Sequence, residues 1–193
     1  MIYLYSGTPG SGKTLHAVDV IYRWRRGFVI GNLSLNVSGL KPSTVYMRVD
    51  NAHLTPRYLI EQAGVWFAGG RVREGQLLLV VDEAQLLFNA RSWQSNSDWI
   101  SFFTQHRKYG YDVILIAQFD RMIDRQIRSL IEYEYVHRKI SNLGGIWGIV
   151  FSIILGRYHV YERWYAVRDI SVGGHRVRYS KKIFNLYNTF ETL

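Results

Sequence analysis

Apolar residues run unbroken over residues 2–5, 77–81 and 113–117, and polar or glycine positions close each run. Continuous apolar runs of this length read as strands buried on both faces, the habit of a parallel sheet. Two further strands are expected over 28–35, with Gly31 and Asn32 as turn formers near its end, and over 45–49. The third of the apolar runs starts one residue earlier, at Asp112, when read as a strand. Between the strands the apolar spacing turns helical. Helices are expected over 14–26, from a Thr55 cap with Pro56 at its first position to residue 67, from Ser97 or Asp98 to 108, and over 123–130. Residues 133–139 read as extended again. Strands alternating with helices imply an α/β domain with a parallel sheet and helices on both faces.

The texture changes past residue 140. Residues 143–156 are apolar and glycine-rich, and 158–168 and 174–180 read as antiparallel strands around Gly173-Gly174. The chain therefore divides into a core over 1–140 and a β-rich extension over 141–193. No internal repeat or low-complexity linker interrupts it.

Composition narrows the chemistry. The 193 residues suffice for one α/β domain with a sizeable core. A formal net charge of +9 points to phosphate-bearing partners such as nucleotides, nucleic acid or anionic lipid. A generally basic surface kept for solubility is the plainer reading, and charge alone does not separate the two. Without cysteine there is no disulfide framework and no thiolate metal site. The histidines show no ligand spacing, so no structural zinc is expected, and His16 reads as a packing or surface residue. No signal peptide is visible at Met1. Residues 143–156 fall short of the roughly 20 apolar residues that a bilayer requires. A soluble, cytoplasm-type domain is expected, and it can be one piece of a longer membrane protein.

The first strand leads into Gly7-Thr8-Pro9-Gly10-Ser11-Gly12-Lys13-Thr14, a full match to G-x-x-x-x-G-K-[ST]. Its glycines let successive backbone N–H groups converge on phosphate oxygens, and the following helix adds its positive end. Lys13 is placed for the β- and γ-phosphates of ATP, and the Thr14 hydroxyl for Mg2+. An accidental match in a chain of this size is on the order of one in a hundred or less.

The run over 77–81 delivers Asp82 and Glu83 to the carboxyl edge of the sheet, where ligands of open α/β sheets bind. A solvated acidic turn would be the ordinary reading of this pair. With the phosphate loop upstream, Asp82 reads as a magnesium ligand, direct or through water, and Glu83 as the base that polarises an attacking water. Gln118 ends the strand at 112–117, where its amide can orient the same water. Arg107, Arg125 and Arg128 flank that strand. Each is a candidate to stabilise transition-state charge on a neighbouring subunit's nucleotide, with Arg107 ahead of Arg128. A basic face bound to nothing is the plain alternative for any one of them.

The order of these motifs resembles a known family. Asp82-Glu83-Ala84-Gln85, Asn89-Ala90-Arg91-Ser92-Trp93 and His106-Arg107-Lys108-Tyr109-Gly110-Tyr111-Asp112-Val113-Ile114 are similar to the assembly ATPases of filamentous phages, the zonula occludens toxin (Zot) family. Asp124, Gln126, Arg128 and Ser129 continue the likeness, as do residues 146–156 and the ending Asn185-Leu186-Tyr187-Asn188-Thr189. The stretch 107–118 also resembles, more distantly, FtsK/HerA-type DNA-pumping motors. The resemblance implies a RecA-like P-loop NTPase fold and the motor domain of an inner-membrane protein, working as a ring-shaped homo-oligomer. It implies that ATP hydrolysis on the cytoplasmic face drives virion assembly and extrusion around single-stranded DNA, with other phage assembly proteins as partners. Members usually continue into a membrane helix and an extracytoplasmic tail, so this chain is expected to be a soluble N-terminal fragment. The toxin activity of one branch is attributed to that tail, and none is expected here.

Two other functions stay open on the residues alone. A small-molecule or nucleotide kinase would share the loop, although the Asp82-Glu83 pair and Gln118 favour water as the nucleophile. A nucleotide-gated binding module at the membrane would use 143–156 as its docking element. Adenine as the base comes from the resemblance, since no guanine-reading Asn-Lys-x-Asp motif is present.

Overall fold

The computed structural model describes residues 1–89, 96–139, 158–167, 170–177 and 180–187. Six parallel strands, β1 (Ile2–Ser6), β2 (Phe28–Gly31), β3 (Val45–Arg48), β4 (Leu77–Val81), β5 (Tyr111–Ile116) and β6 (Tyr133–Lys139), form most of one sheet. Two antiparallel strands, β7 (Tyr158–Trp164) and β8 (Ser171–Val177), extend it past β6. The strand order is β3-β2-β4-β5-β1-β6-β7-β8. β5 thus lies between β1 and β4, so that the loop after β1 and the acids after β4 flank the end of β5.

Both faces of β4 are buried because helices cover both. Leu77, Leu79 and Val81 pack with Leu59 and Ala63 of α2 (Pro56–Trp66) and Phe102 and Phe103 of α3 (Ser97–Gln105). Leu78 and Val80 point the other way, toward Ala17, Val18 and Ile21 of α1 (Lys13–Arg23) and Ile183 and Leu186 of a short C-terminal helix. Each such side chain stabilises the fold by about 1.5–3 kcal/mol. The three layers are those expected of a RecA-like α/β fold, with the extension strands continuing the same sheet.

Several boundaries differ from the sequence expectations, and each has a local cause. Helix α1 ends at Arg23 rather than 26, because Trp24 turns extended and its indole N–H reaches the Gln76 carbonyl at 3.2 Å. Strand β2 stops at Gly31 rather than 35, because Asn32 leaves the ladder to bind the Asp82 backbone. α3 tightens into a 3-10 turn over His106–Tyr109, which Gly110 ends at φ +79°. The helix expected over 123–130 is α4 (Arg125–Ser129), where the Asp124 carboxylate accepts from the Gln126 and Ile127 N–H groups.

The β7–β8 turn does not lie at Gly173-Gly174. Those glycines sit inside β8, opposite Glu162 and Tyr161. The chain reverses earlier, where the Trp164 N–H bonds the Ile170 carbonyl and the Tyr165 N–H is held by Glu132. Helix α5 (Lys181–Leu186) was not anticipated, since six residues with two buried positions give no periodicity to read. The apolar stretch 143–156 lies outside the described residues. No described helix is long and apolar enough to cross a membrane.

Candidate active site

β1, β5 and β4 end side by side, and their carboxyl ends carry the loop 7–14, Gln118, and Asp82 with Glu83. The Gly7 N–H donates to the Gln118 carbonyl at 3.3 Å, which ties the loop to the end of β5. Gly7 and Gly12 have φ of +138° and +91°. A side chain at Gly7 would stand 2.3 Å from the His137 carbonyl oxygen, and one at Gly12 2.7 Å from the Tyr158 ring. The loop therefore needs glycine for both conformation and space. Gly12 also begins α1 with no side-chain cap, so the first N–H groups of the helix stay open to an anion.

Lys13 folds back over the loop, and its ammonium donates to the carbonyls of Gly7 at 2.8 Å and Thr8 at 3.1 Å. Burial lowers its pKa, while Asp82 and Glu83 pull it upward. The Thr14 hydroxyl donates to Asp82 Oδ2 at 3.1 Å, so the end of the phosphate loop meets the end of β4. Asp82 is 7% exposed, and burial raises its pKa to about 6 against the hydrogen bonds from the Glu83 N–H and Thr14. A buried carboxylate without a directly paired cation favours a bound positive ion.

Asn32 was read from the sequence only as a turn former, yet it holds the Asp82 backbone on both sides. Its amide accepts from the Asp82 N–H at 2.7 Å and donates to the Asp82 carbonyl at 2.8 Å and to Asn51 at 2.9 Å. Glu83 has φ +48°, and among the described residues it is the one non-glycine with positive φ. Its carboxylate accepts from the Gln85 side chain. Backbone strain of this kind collects at functional sites, where surrounding contacts impose it.

The residues fit a magnesium-bound triphosphate. The Ser11 hydroxyl is buried inside the loop without a partner among the described residues. Thr14 and Asp82 supply hard oxygen donors of the kind magnesium takes.

Other side chains wall this site. His16 joins His137 through Nδ1 and Nε2 at 2.8 Å and stacks on Tyr5, which makes it a packing residue between α1 and β6. The Ser6 hydroxyl donates to Glu134 at 2.6 Å. Beyond Gln118, a cavity of about 440 Å³ is lined by Gly7, Thr8, Asp120, Glu134, His137 and Arg138 among others. Tyr187, from the far end of the chain, is half-buried, and burial first and then the Asp82 charge raise its pKa.

The arginines are not gathered here. Arg107 lies before β5, at the amino edge of the sheet, and pairs with Glu132 at 2.7 Å. Roughly 20 Å of strand separates that edge from its own phosphate loop. Arg128 lies 3.6 Å from Asp120, two residues past Gln118, and its Nε is buried without a partner among the described residues. Arg125 is exposed at the start of α4. Of the family-like segment 89–93, only Asn89 is described.

Known proteins resemble this chain in sequence and in fold. The family model for zonular occludens toxin (Zot) matches residues 1–192. The gene 1 protein of Enterobacteria phage M13 is 30% identical over 212 residues, covering 99% of this chain and 59% of that protein. The gene 1 protein of Enterobacteria phage I2-2 is 31% identical over 168 residues, covering 80% of this chain and 45% of the relative. The chain thus spans about three fifths or less of the length of these relatives. Among solved structures, the N-terminal domain of zonular occludens toxin from Neisseria meningitidis superposes with a TM-score of 0.62 at 22% identity, covering 97% of this chain and 98% of that one. The genome packaging NTPase B204 of Sulfolobus turreted icosahedral virus 2, in complex with ATP-gammaS, superposes at 0.61 with 12% identity, covering 91% and 96%. At these identities the likeness establishes the fold, that of P-loop NTPases.

Proposed function

Because this chain belongs to the zonular occludens toxin (Zot) family, we propose that it is the Mg2+-dependent ATPase part of a motor for filamentous-phage assembly and extrusion. The observation that carries the reading is the meeting of Thr14 with Asp82 at 3.1 Å, with Lys13 and Glu83 beside them. The family relatives are gene 1 proteins of filamentous phages, and a structural neighbour binds an ATP analogue. Both support ATP as the substrate.

In this reading the N–H groups of the loop 7–14 and the Lys13 ammonium hold the triphosphate. Thr14 and Asp82 would hold the metal, which would supply positive charge against the phosphate oxygens. Asn32 fixes Asp82, and Gln85 keeps the Glu83 carboxylate in place. Glu83 accepts the proton of the attacking water, and the Gln118 amide orients that water. Arg107 stands too far from its own loop to serve it, so any contribution from it falls on a neighbour's nucleotide. Arg128 is the other candidate for that role. The working form is then a ring-shaped homo-oligomer at the cytoplasmic face of the host inner membrane. Its partners are other phage assembly proteins and phage single-stranded DNA, with anionic lipid as a second taker of the basic surface.

Phosphate release per subunit, followed across a wide range of protein concentration, tests the reading. A specific rate that climbs steeply, and is lost in Arg107→Ala or Arg128→Ala, is expected, since fingers of this kind contribute about 10³–10⁵ in rate. A flat rate would mean a self-sufficient site and would remove the arginines and the ring from the account.

A further inference from the structure

Lys13 marks where the end of a bound triphosphate falls. Its ammonium, placed for the β- and γ-phosphates, rests on the carbonyls of Gly7 and Thr8 at 2.8 and 3.1 Å. A second cation comes to the same two residues from another strand. β6 pairs with β1 in parallel, with Val136 beside Ser6. One step on, the His137 carbonyl stands against Gly7, close enough to exclude a side chain there. The next residue, Arg138, comes level with Thr8, and adjacent strands lie only about 4.8 Å apart. Four neighbouring strand ends, those of β4, β5, β1 and β6, thus carry Glu83, Gln118, the phosphate loop and Arg138.

Arg138 is not committed to an acid. With Glu134 and Val136 it alternates onto one face of β6, and these residues line the cavity of about 440 Å³ that also holds Gly7, Thr8 and Gln118. The two acids of that cavity are engaged by other groups. Glu134 accepts from the Ser6 hydroxyl at 2.6 Å, and Asp120 lies 3.6 Å from Arg128 and accepts from Tyr165 at 3.1 Å. Arg138 itself is exposed and pairs with no carboxylate among the described residues. Its guanidinium rests over the Tyr161 ring of β7, 5.5 Å from the ring centre. An exposed contact of that kind is worth about two- to fivefold in an equilibrium. Hydrogen bonds from a guanidinium to a charged oxygen are worth about ten- to a hundredfold. Phosphate oxygens within reach therefore win the side chain from the tyrosine.

We infer that Arg138 reads the terminal phosphate of the bound nucleotide in cis: it rests on Tyr161 without nucleotide and turns to the γ-phosphate beside Thr8 when a triphosphate enters. The inference rests on the nucleotide-site reading above. It gives the site a cation of its own that answers to the third phosphate, apart from any arginine that a neighbour supplies.

The test is equilibrium binding of a non-hydrolysable ATP analogue and of ADP, each with magnesium, to the whole chain and to three variants. Arg138→Gln binds the analogue about ten- to a hundredfold more weakly and ADP as the wild type does. Tyr161→Leu removes the resting place, so it binds the analogue about two- to fivefold more tightly with ADP unchanged. Arg163→Gln takes the same charge from the same sheet face, since Arg163 lies opposite Glu134 but outside the cavity, and it changes neither affinity. Equal weakening of analogue and ADP in Arg138→Gln, no weakening of either, or a loss as large in Arg163→Gln would overturn the inference. Unchanged analogue affinity in Tyr161→Leu would do the same, and that variant decides alone if Arg138→Gln does not fold. A wild type that fails to bind the analogue, or a Lys13→Ala protein that binds it as the wild type does, would instead sink the nucleotide-site reading itself, and the inference with it.

Discussion

Replacing Asn32 with leucine removes the side chain that holds the magnesium-side carboxylate while keeping the branched shape of a residue only 2% exposed. Two hydrogen bonds to the Asp82 backbone, at 2.7 and 2.8 Å, are lost, and the N–H and carbonyl of a buried position are left without partners. Each stranded group costs about 1–3 kcal/mol. With partial relaxation the sum is about 3 kcal/mol, a large part of the stability of an ordinary domain. For a chain of 193 residues this lowers Tm by about 6–12 °C. Asn51→Ala removes a single partner of the same amide, at 2.9 Å, and costs under about 1 kcal/mol. Thermal unfolding of the three proteins, with magnesium-dependent nucleotide binding measured beside it, checks both figures. An Asn32→Leu protein that melts within about 2 °C of wild type, as the scale of 2–4 °C per kcal/mol would register, and still binds magnesium nucleotide would refute the reasoning.

Other variants probe the site from different sides. Asp82 titrates near 6 in the fold against its ordinary 3.8, so the protonated form favours folding. The Asp82 contribution to metal-free stability is fully present below pH 3.8 and is lost, about 3 kcal/mol in all, as pH rises to 6. Urea unfolding in EDTA should show this slope in wild type and not in Asp82→Asn, and identical pH profiles would count against a strained carboxylate. Glu83→Gly relieves the positive φ of 48°, worth about 1–2 kcal/mol against a smaller entropic cost of glycine. That variant should lose hydrolysis without losing Tm, and a drop of several degrees would contradict the strain argument. Gly12→Ala meets both a φ of +91° and the Tyr158 ring at 2.7 Å. Nucleotide binding is lost, and adding Tyr158→Ala recovers only part of it because the φ conflict remains; full recovery would show that space alone dictates glycine there.

Contiguous features were legible in the sequence, and features made by distant packing were not. The loop 7–14 is one uninterrupted motif, and the apolar run 77–81 ends on its two acids, so both could be read directly. Their order also carried the family resemblance that the comparisons bear out. That Thr14 and Asp82 touch depends on β5 entering the sheet between β1 and β4, which no local pattern states. Asn32 does bend the chain after Gly31 as expected, but its further task at Asp82 appears only once β4 lies beside β2. The Gly173-Gly174 pair looked like the hairpin turn, but the β7 register places it inside β8. Tyr187 entered only through the family-like ending 185–189, and its position beside β2 comes from two buried apolar residues of α5 resting on α1.

The central claim is that Glu83 performs the hydrolytic step in a site that binds the nucleotide without it. The measurement that reaches it most directly is phosphate release by wild type and Glu83→Gln at one protein concentration, with nucleotide affinity determined on the same samples. The account predicts unchanged affinity in magnesium and a rate reduced to the level of the no-enzyme control. A variant that binds and hydrolyses as the wild type does would contradict it.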